Sequence, residues 1–142
     1  MKKAEIRQRV KRHVKTRGSQ ANFDITETLC LYWWAKLNAA IFDDKLTRPV
    51  RFEIRKYRGM CGWCRPYGNN KKIRTTVIGI NGALQDRNTF LNILVHEMIH
   101  QHFWEIDGCW DDSAPHHGKE FFEWAPRIKR TAGLTLAVSY DL

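Results

Sequence analysis

Two histidines and a glutamate carry the plainest chemistry in this chain: His96-Glu97-Met98-Ile99-His100. On a helix, residues i and i+4 project from one face, so both imidazoles can share one zinc ion while Glu97 stands beside its open position. A single histidine on an apolar helix reads as a core residue. The pair with its glutamate reverses that reading, and zinc is expected at His96 and His100. A zinc site that keeps its fourth position for water needs a third protein ligand. The candidates are His116, His117, Glu120, Glu123, Asp111 and Asp112, and spacing alone does not choose between histidine and carboxylate. His102 lies about 200° round the helix from His100 and cannot join the same site. The chemistry of such a site is hydrolysis. Zinc supplies Lewis acidity toward water and a carbonyl oxygen. Glu97 would take the proton of the attacking water and pass it to the leaving amine.

Cys61 and Cys64 form one CxxC, a weak signal by itself. A structural zinc site needs four ligands, and Cys30 and Cys109 stand singly elsewhere. A redox pair usually opens a helix after a strand, whereas this one lies within strands. The thiols are therefore read as core residues. Trp33 and Trp34 are read the same way, while Trp63, near Arg65, could stack on a base.

The motif needs elements to hold it. Asp86–Glu105 is the longest helical pattern, capped by Asp86 or Asn88, with Leu91, Leu94, Val95 and Met98 facing inward. Residues 2–17 predict a basic helix with a thin stripe of Ile6, Val10 and Val14, ended by Gly18. Asn22–Phe42 predicts a second, with Asp24 and Glu27 as a capping box and Ile25, Leu29, Trp33, Leu37 and Ile41 buried. Val50–Tyr57, Gly59–Tyr67 and Ile73–Asn81 read as strands. Gly118–Thr131 predicts a last helix, open to interruption at Pro126. Helix, helix, three strands, helix, helix is α+β: helices packed on a small three-stranded sheet. The expected organisation is a basic N-terminal helix over 1–20 and one catalytic domain over 21–142.

Charge is segregated along the chain. Residues 1–20 hold eight Lys/Arg against Glu5, a net +7, and residues 45–74 hold ten against Glu53, a net +9. With +9 overall, the rest of the chain is acidic. Clustered cations attract phosphate through counterion release. A nucleic-acid partner is thus expected, held by Lys11, Arg12, Lys15, Arg17, Arg55, Lys56, Arg58, Arg65, Lys71 and Lys72. The plainer alternative is a solvated basic face.

At 142 residues, 43% hydrophobic and 27% charged, the composition excludes collagen, coiled-coil fibre and intrinsic disorder. Six tryptophans and seven phenylalanines suffice for a core without disulfides. No apolar run approaches the ~18 residues of a membrane span. The charged N-terminus lacks the apolar stretch of a secretory signal, so a cytoplasmic address is expected, or a nucleoid or nuclear one if DNA is bound, with no membrane partner and a monomeric state.

His96–His100, followed by Ala114-Pro115-His116-His117-Gly118-Lys119-Glu120-Phe121, resembles the SprT family of zinc metalloproteases, the Spartan-related group. Phe42–Leu46, the charged strand after it and Gly59-Met60-Cys61 are similar as well, so the likeness spans about residues 22–135. It implies a zincin-like fold, Zn2+ as cofactor, His117 as third ligand and Glu97 as catalytic base. It also implies a protein substrate bound or crosslinked to DNA, hence a role in DNA–protein crosslink repair. By analogy with zinc peptidases more widely, an extended substrate would add to an edge strand near the metal, expected at Thr75–Ile80. The chain ends at Leu142 without the cysteine-rich module of several relatives, which suggests a minimal catalytic domain with its own basic segments replacing it. Two other readings compete. One is a zinc peptidase with a dedicated protein substrate and no DNA dependence. The other is a catalytically silent nucleic-acid-binding zinc module, against which the intact Glu97 argues.

Overall fold

Helices precede and follow a run of three strands in the computed structural model, which describes residues 2–15, 24–68, 75–84, 86–108 and 118–136. Among these, the elements are α1 (Lys3–Lys15), α2 (Glu27–Ile41), β1 (Arg51–Arg55), β2 (Gly62–Tyr67), β3 (Thr75–Asn81), α3 (Arg87–Glu105), α4 (Lys119–Phe122) and α5 (Ala125–Ala132). The α+β class expected from the sequence holds.

Chain order is not sheet order. β3 lies in the middle, parallel to β1 and antiparallel to β2. All seven of its residues are buried, as the β-branched sequence TTVIGIN requires of a strand covered on both faces. Register sorts the side chains. Phe52, Ile54, Cys64, Ile78 and Ile80 turn toward the helices and join the core. Arg51, Glu53, Trp63, Arg65, Val77 and Gly79 alternate with them on the opposite face. The Asn81 side chain sets the turn between β1 and β2, donating from Nδ2 to the carbonyls of Tyr57 (2.9 Å) and Met60 (2.8 Å).

Helix boundaries depart from the periodicity in instructive ways. α2 starts at Glu27 and is capped by Thr26, whose Oγ1 accepts from Leu29 N at 3.1 Å. The expected Asp24–Glu27 capping box does not form. A hydroxyl one residue before the helix reaches the orphan amide, and the Glu27 carboxylate accepts from Phe52 N instead. Trp33, Trp34, Leu37 and Ile41 are buried with Cys30 and Asn38, while Ile25 and Leu29 are only half-buried. α3 is capped by Asp86, which accepts from Thr89 N at 3.1 Å. The last helix of the sequence reading is two helices, with Pro126 at the second position of α5, where a missing N–H costs nothing.

α1 buries Val10 and Val14 against α2 and α5. Its docking is electrostatic as well. Asp43, just past α2 with φ +54°, receives Lys3 Nζ (3.0 Å), Arg7 Nη2 (3.4 Å) and Arg127 Nη2 (3.1 Å). Arg7 Nε and Arg127 Nε also donate to the Ala40 and Ile41 carbonyls, at 3.0 and 2.7 Å, where the α2 C-terminus carries partial negative charge. No helix among the described residues is long and apolar enough to cross a membrane.

Candidate metal centre on helix α3

The HExxH segment occupies the middle of α3, where the helix is buried between the sheet and its neighbours. His96 and His100 stand one turn apart, with ring centroids 5.1 Å from each other. His96 is 6% exposed and Glu97 5%, and His100 is half-buried. A nitrogen of each imidazole and a carboxylate oxygen of Glu97 all lie within 4.8 Å of one another. Two imidazoles with a carboxylate beside them in that space form a cluster of the kind that holds a metal ion.

Two neighbours to which the sequence reading gave no role shape this cluster. Phe121 of α4, fully buried, packs its ring 4.8 Å from that of His96 and 5.4 Å from that of His100. Such packing restricts the imidazole rotamers. From the sheet side, β2 passes so close that a Cβ on Gly62 would lie 3.2 Å from Glu97 Oε2 and 2.9 Å from Ile93 Cγ2. Glycine allows the strand to approach the carboxylate. Burial here pushes the Glu97 carboxyl up to about 8, because desolvation disfavours its charged form.

One turn further on, Gln101 ties the helix to its surroundings and is fully buried. Its Oε1 accepts from Trp34 Nε1 at 3.0 Å, and its Nε2 donates to Thr47 O and Glu105 Oε2, each at 2.7 Å. Glu105 Oε1 accepts in turn from Thr47 N at 2.7 Å. The network joins α2, α3 and the loop leading to β1 immediately after the second histidine. Nothing in a lone helical glutamine announces it.

The remaining candidates separate clearly. His102 packs its ring 4.7 Å from Trp124 and 5.9 Å from Phe42, on another face, as its helical angle required. Glu120 and Glu123 are exposed and outside the metal cluster. His116, His117, Asp111 and Asp112 lie outside the described residues. Cys30 is buried and Cys61 and Cys64 half-buried, all three free thiols, while Cys109 lies outside the described residues. Burial raises the Cys64 thiol, with the Glu97 and Glu105 carboxylates adding to the shift. Thr75–Ile80 is not an edge: β3 is paired on both sides, and β2 is the edge strand that packs on α3.

The basic residues divide between two places. Lys11, Arg12 and Lys15 are exposed on α1, in the helical layer. Arg55, Lys56, Arg58 and Arg65 are exposed on β1, the turn after it, and the face of β2 turned away from the helices. Arg17, Lys71 and Lys72 lie outside the described residues.

Residues 31–140 match the sequence profile of the family described as SprT-like. This chain belongs to the SprT-like family. The matched span runs from α2 past α5 and contains the whole HExxH helix. No curated protein and no solved structure matches this SprT-like chain.

Proposed function

We propose that this SprT-like protein is a zincin-type, zinc-dependent endopeptidase, associated with DNA and acting on proteins bound or crosslinked to it. One observation carries the peptidase reading: a buried carboxylate, Glu97, lies within 4.8 Å of both imidazoles and against β2, an edge strand among the described residues. A purely structural zinc site has no use for a carboxylate there. His96 and His100 would hold the metal, with His117 as third ligand. Its support is local: Phe121, four residues on, already touches both imidazoles. Zinc, when bound, supplies Lewis acidity toward water and the scissile carbonyl. Glu97 accepts the proton of the attacking water on its carboxylate and delivers it to the leaving amine.

The edge of β2 supplies the means of holding an extended substrate. Asn81 N donates to Cys61 O at 2.8 Å, so the alternation of an antiparallel ladder turns residues 61, 63, 65 and 67 toward β3. Gly62 and Cys64 therefore direct N–H and C=O outward, and Pro66 falls where its missing N–H breaks no bond to β3. A peptide adding along this edge would run beside Glu97.

Purified wild type and Glu97→Gln, first matched for zinc content, would be incubated with a lysine-rich protein with and without single-stranded DNA. Cleavage by wild type alone, and only with DNA, is the expected result. Cleavage regardless of DNA would favour a dedicated peptidase. Equal cleavage by Glu97→Gln would overturn the assignment of the base.

A further inference from the structure

The face of the sheet turned away from the helices carries a second arrangement, independent of the metal cluster. Trp63 is paired with Gly79 across the β2–β3 ladder, and its indole fills the space where a side chain would stand. A Cβ on Gly79 would lie 2.1 Å from Trp63 Cε2. The ring is thus laid across the central strand, and the guanidinium of Arg65 sits 4.6 Å from its centroid. Two residues further along β2, Tyr67 is 45% exposed, with the Arg51 guanidinium 5.8 Å from its ring. Glu53 lies between the two pairs, accepting from Arg51 Nε at 2.9 Å and standing 3.8 Å from Arg65 Nη2. Arg55, next on the same face of β1, is exposed.

From this we infer that the outer sheet face binds single-stranded nucleic acid by stacking bases on the Trp63–Arg65 and Tyr67–Arg51 pairs. A guanidinium lying over an aromatic ring keeps its N–H fork at the edge, free to contact phosphate, while its plane extends the stack. Three arginines against one carboxylate leave the face cationic, and the single anion orients two of the guanidiniums. An acidic peptide would use the arginines and leave the rings idle. Duplex DNA would offer phosphates but no unstacked base. Single strands engage both features. This inference rests on the nucleic-acid partner proposed above but not on the peptidase chemistry, and it places the contact on the sheet rather than on α1.

The test is fluorescence anisotropy of labelled oligothymidylate with the whole chain, over a salt series. Variants are Tyr67→Leu, Arg65→Gln and, on α1, Lys11→Gln with Lys15→Gln, each checked for native circular dichroism. Leucine keeps apolar cover over the sheet and removes only the stacking plane. Tyr67→Leu is expected to weaken binding about tenfold. Arg65→Gln should weaken binding and lower the slope of log K against log salt by about 0.7. The α1 pair should change affinity less than either. Unchanged affinity in both sheet variants, or no oligothymidylate binding by wild type at low salt, would overturn the inference. So would loss confined to Arg65→Gln with equal loss toward heparin, which would mark a general polyanion patch. None of these readouts involves cleavage, so failure here leaves the peptidase reading standing, and the reverse holds.

Discussion

Gly62 of the edge strand and Glu97 of the HExxH helix are packed so closely that a methyl group between them would have 3.2 Å to the carboxylate oxygen. The same methyl would meet the Gly79 carbonyl at 2.9 Å, and that atom is backbone. Glu97 Oε2 ends a side chain, but one that is itself buried, and the carbonyl cannot swing aside. The candidate base and the candidate substrate-binding edge are therefore mechanically one unit.

Gly62→Ala should lift β2 off α3. The expected cost is about 1–3 kcal/mol, the range for inserting a methylene into a packed site. Denaturant unfolding would read the stability, and peptide hydrolysis should fall by more than stability alone explains. Wild-type hydrolysis with wild-type stability would mean the strand is not held against Glu97.

Zinc retention and catalysis should separate by residue. His100→Ala removes one imidazole from a donor set gathered within 4.8 Å, so metal content by elemental analysis should drop. Glu97→Gln preserves shape and should keep the metal while abolishing cleavage. Phe121→Ala empties the packing under both imidazoles and should cost about 3–5 kcal/mol.

Acid should undo the docking of α1 and α5. The Asp43 carboxyl lies below its ordinary value, chiefly through its hydrogen bond to Lys3, then through the Lys3, Arg127 and Arg7 charges. A folded pKa below the unfolded one gives stability that is present above the ordinary carboxylate value of about 4 and lost as pH falls through the folded value. Denaturation midpoints should therefore decline below that range. In Asp43→Asn, which tolerates the same φ of +54°, that part of the decline should be missing.

The Trp34–Gln101 hydrogen bond can be isolated by a double-mutant cycle. Gln101→Leu strands the buried Trp34 indole N–H, at about 1–3 kcal/mol for an unsatisfied buried group, and leaves the Glu105 carboxylate with Thr47 N as its remaining donor. Trp34→Phe removes the other end. The double variant should lose less than the sum of the two, and strict additivity would show that the bond contributes nothing.

Sequence alone determined what depends on near neighbours along the chain. The i, i+4 spacing put His96 and His100 on one face, the apolar period marked α3 and the α1 stripe, and the α3 cap was narrowed to Asp86 or Asn88, of which Asp86 is the one that forms. Each is settled within a turn or two of helix, so the residues themselves suffice. The Thr26 cap shows how narrow that rule is, since a hydroxyl one residue before the helix displaced the capping box read from Asp24 and Glu27. What brings distant segments together was decided only by the tertiary structure. β3 in the centre, β2 rather than β3 as the edge, Phe121 beneath the imidazoles and Gly79 beneath Trp63 are all of this kind. Strand order and close packing follow from which surfaces can be buried together without voids or unpaired polar groups, and that is a property of the whole chain at once.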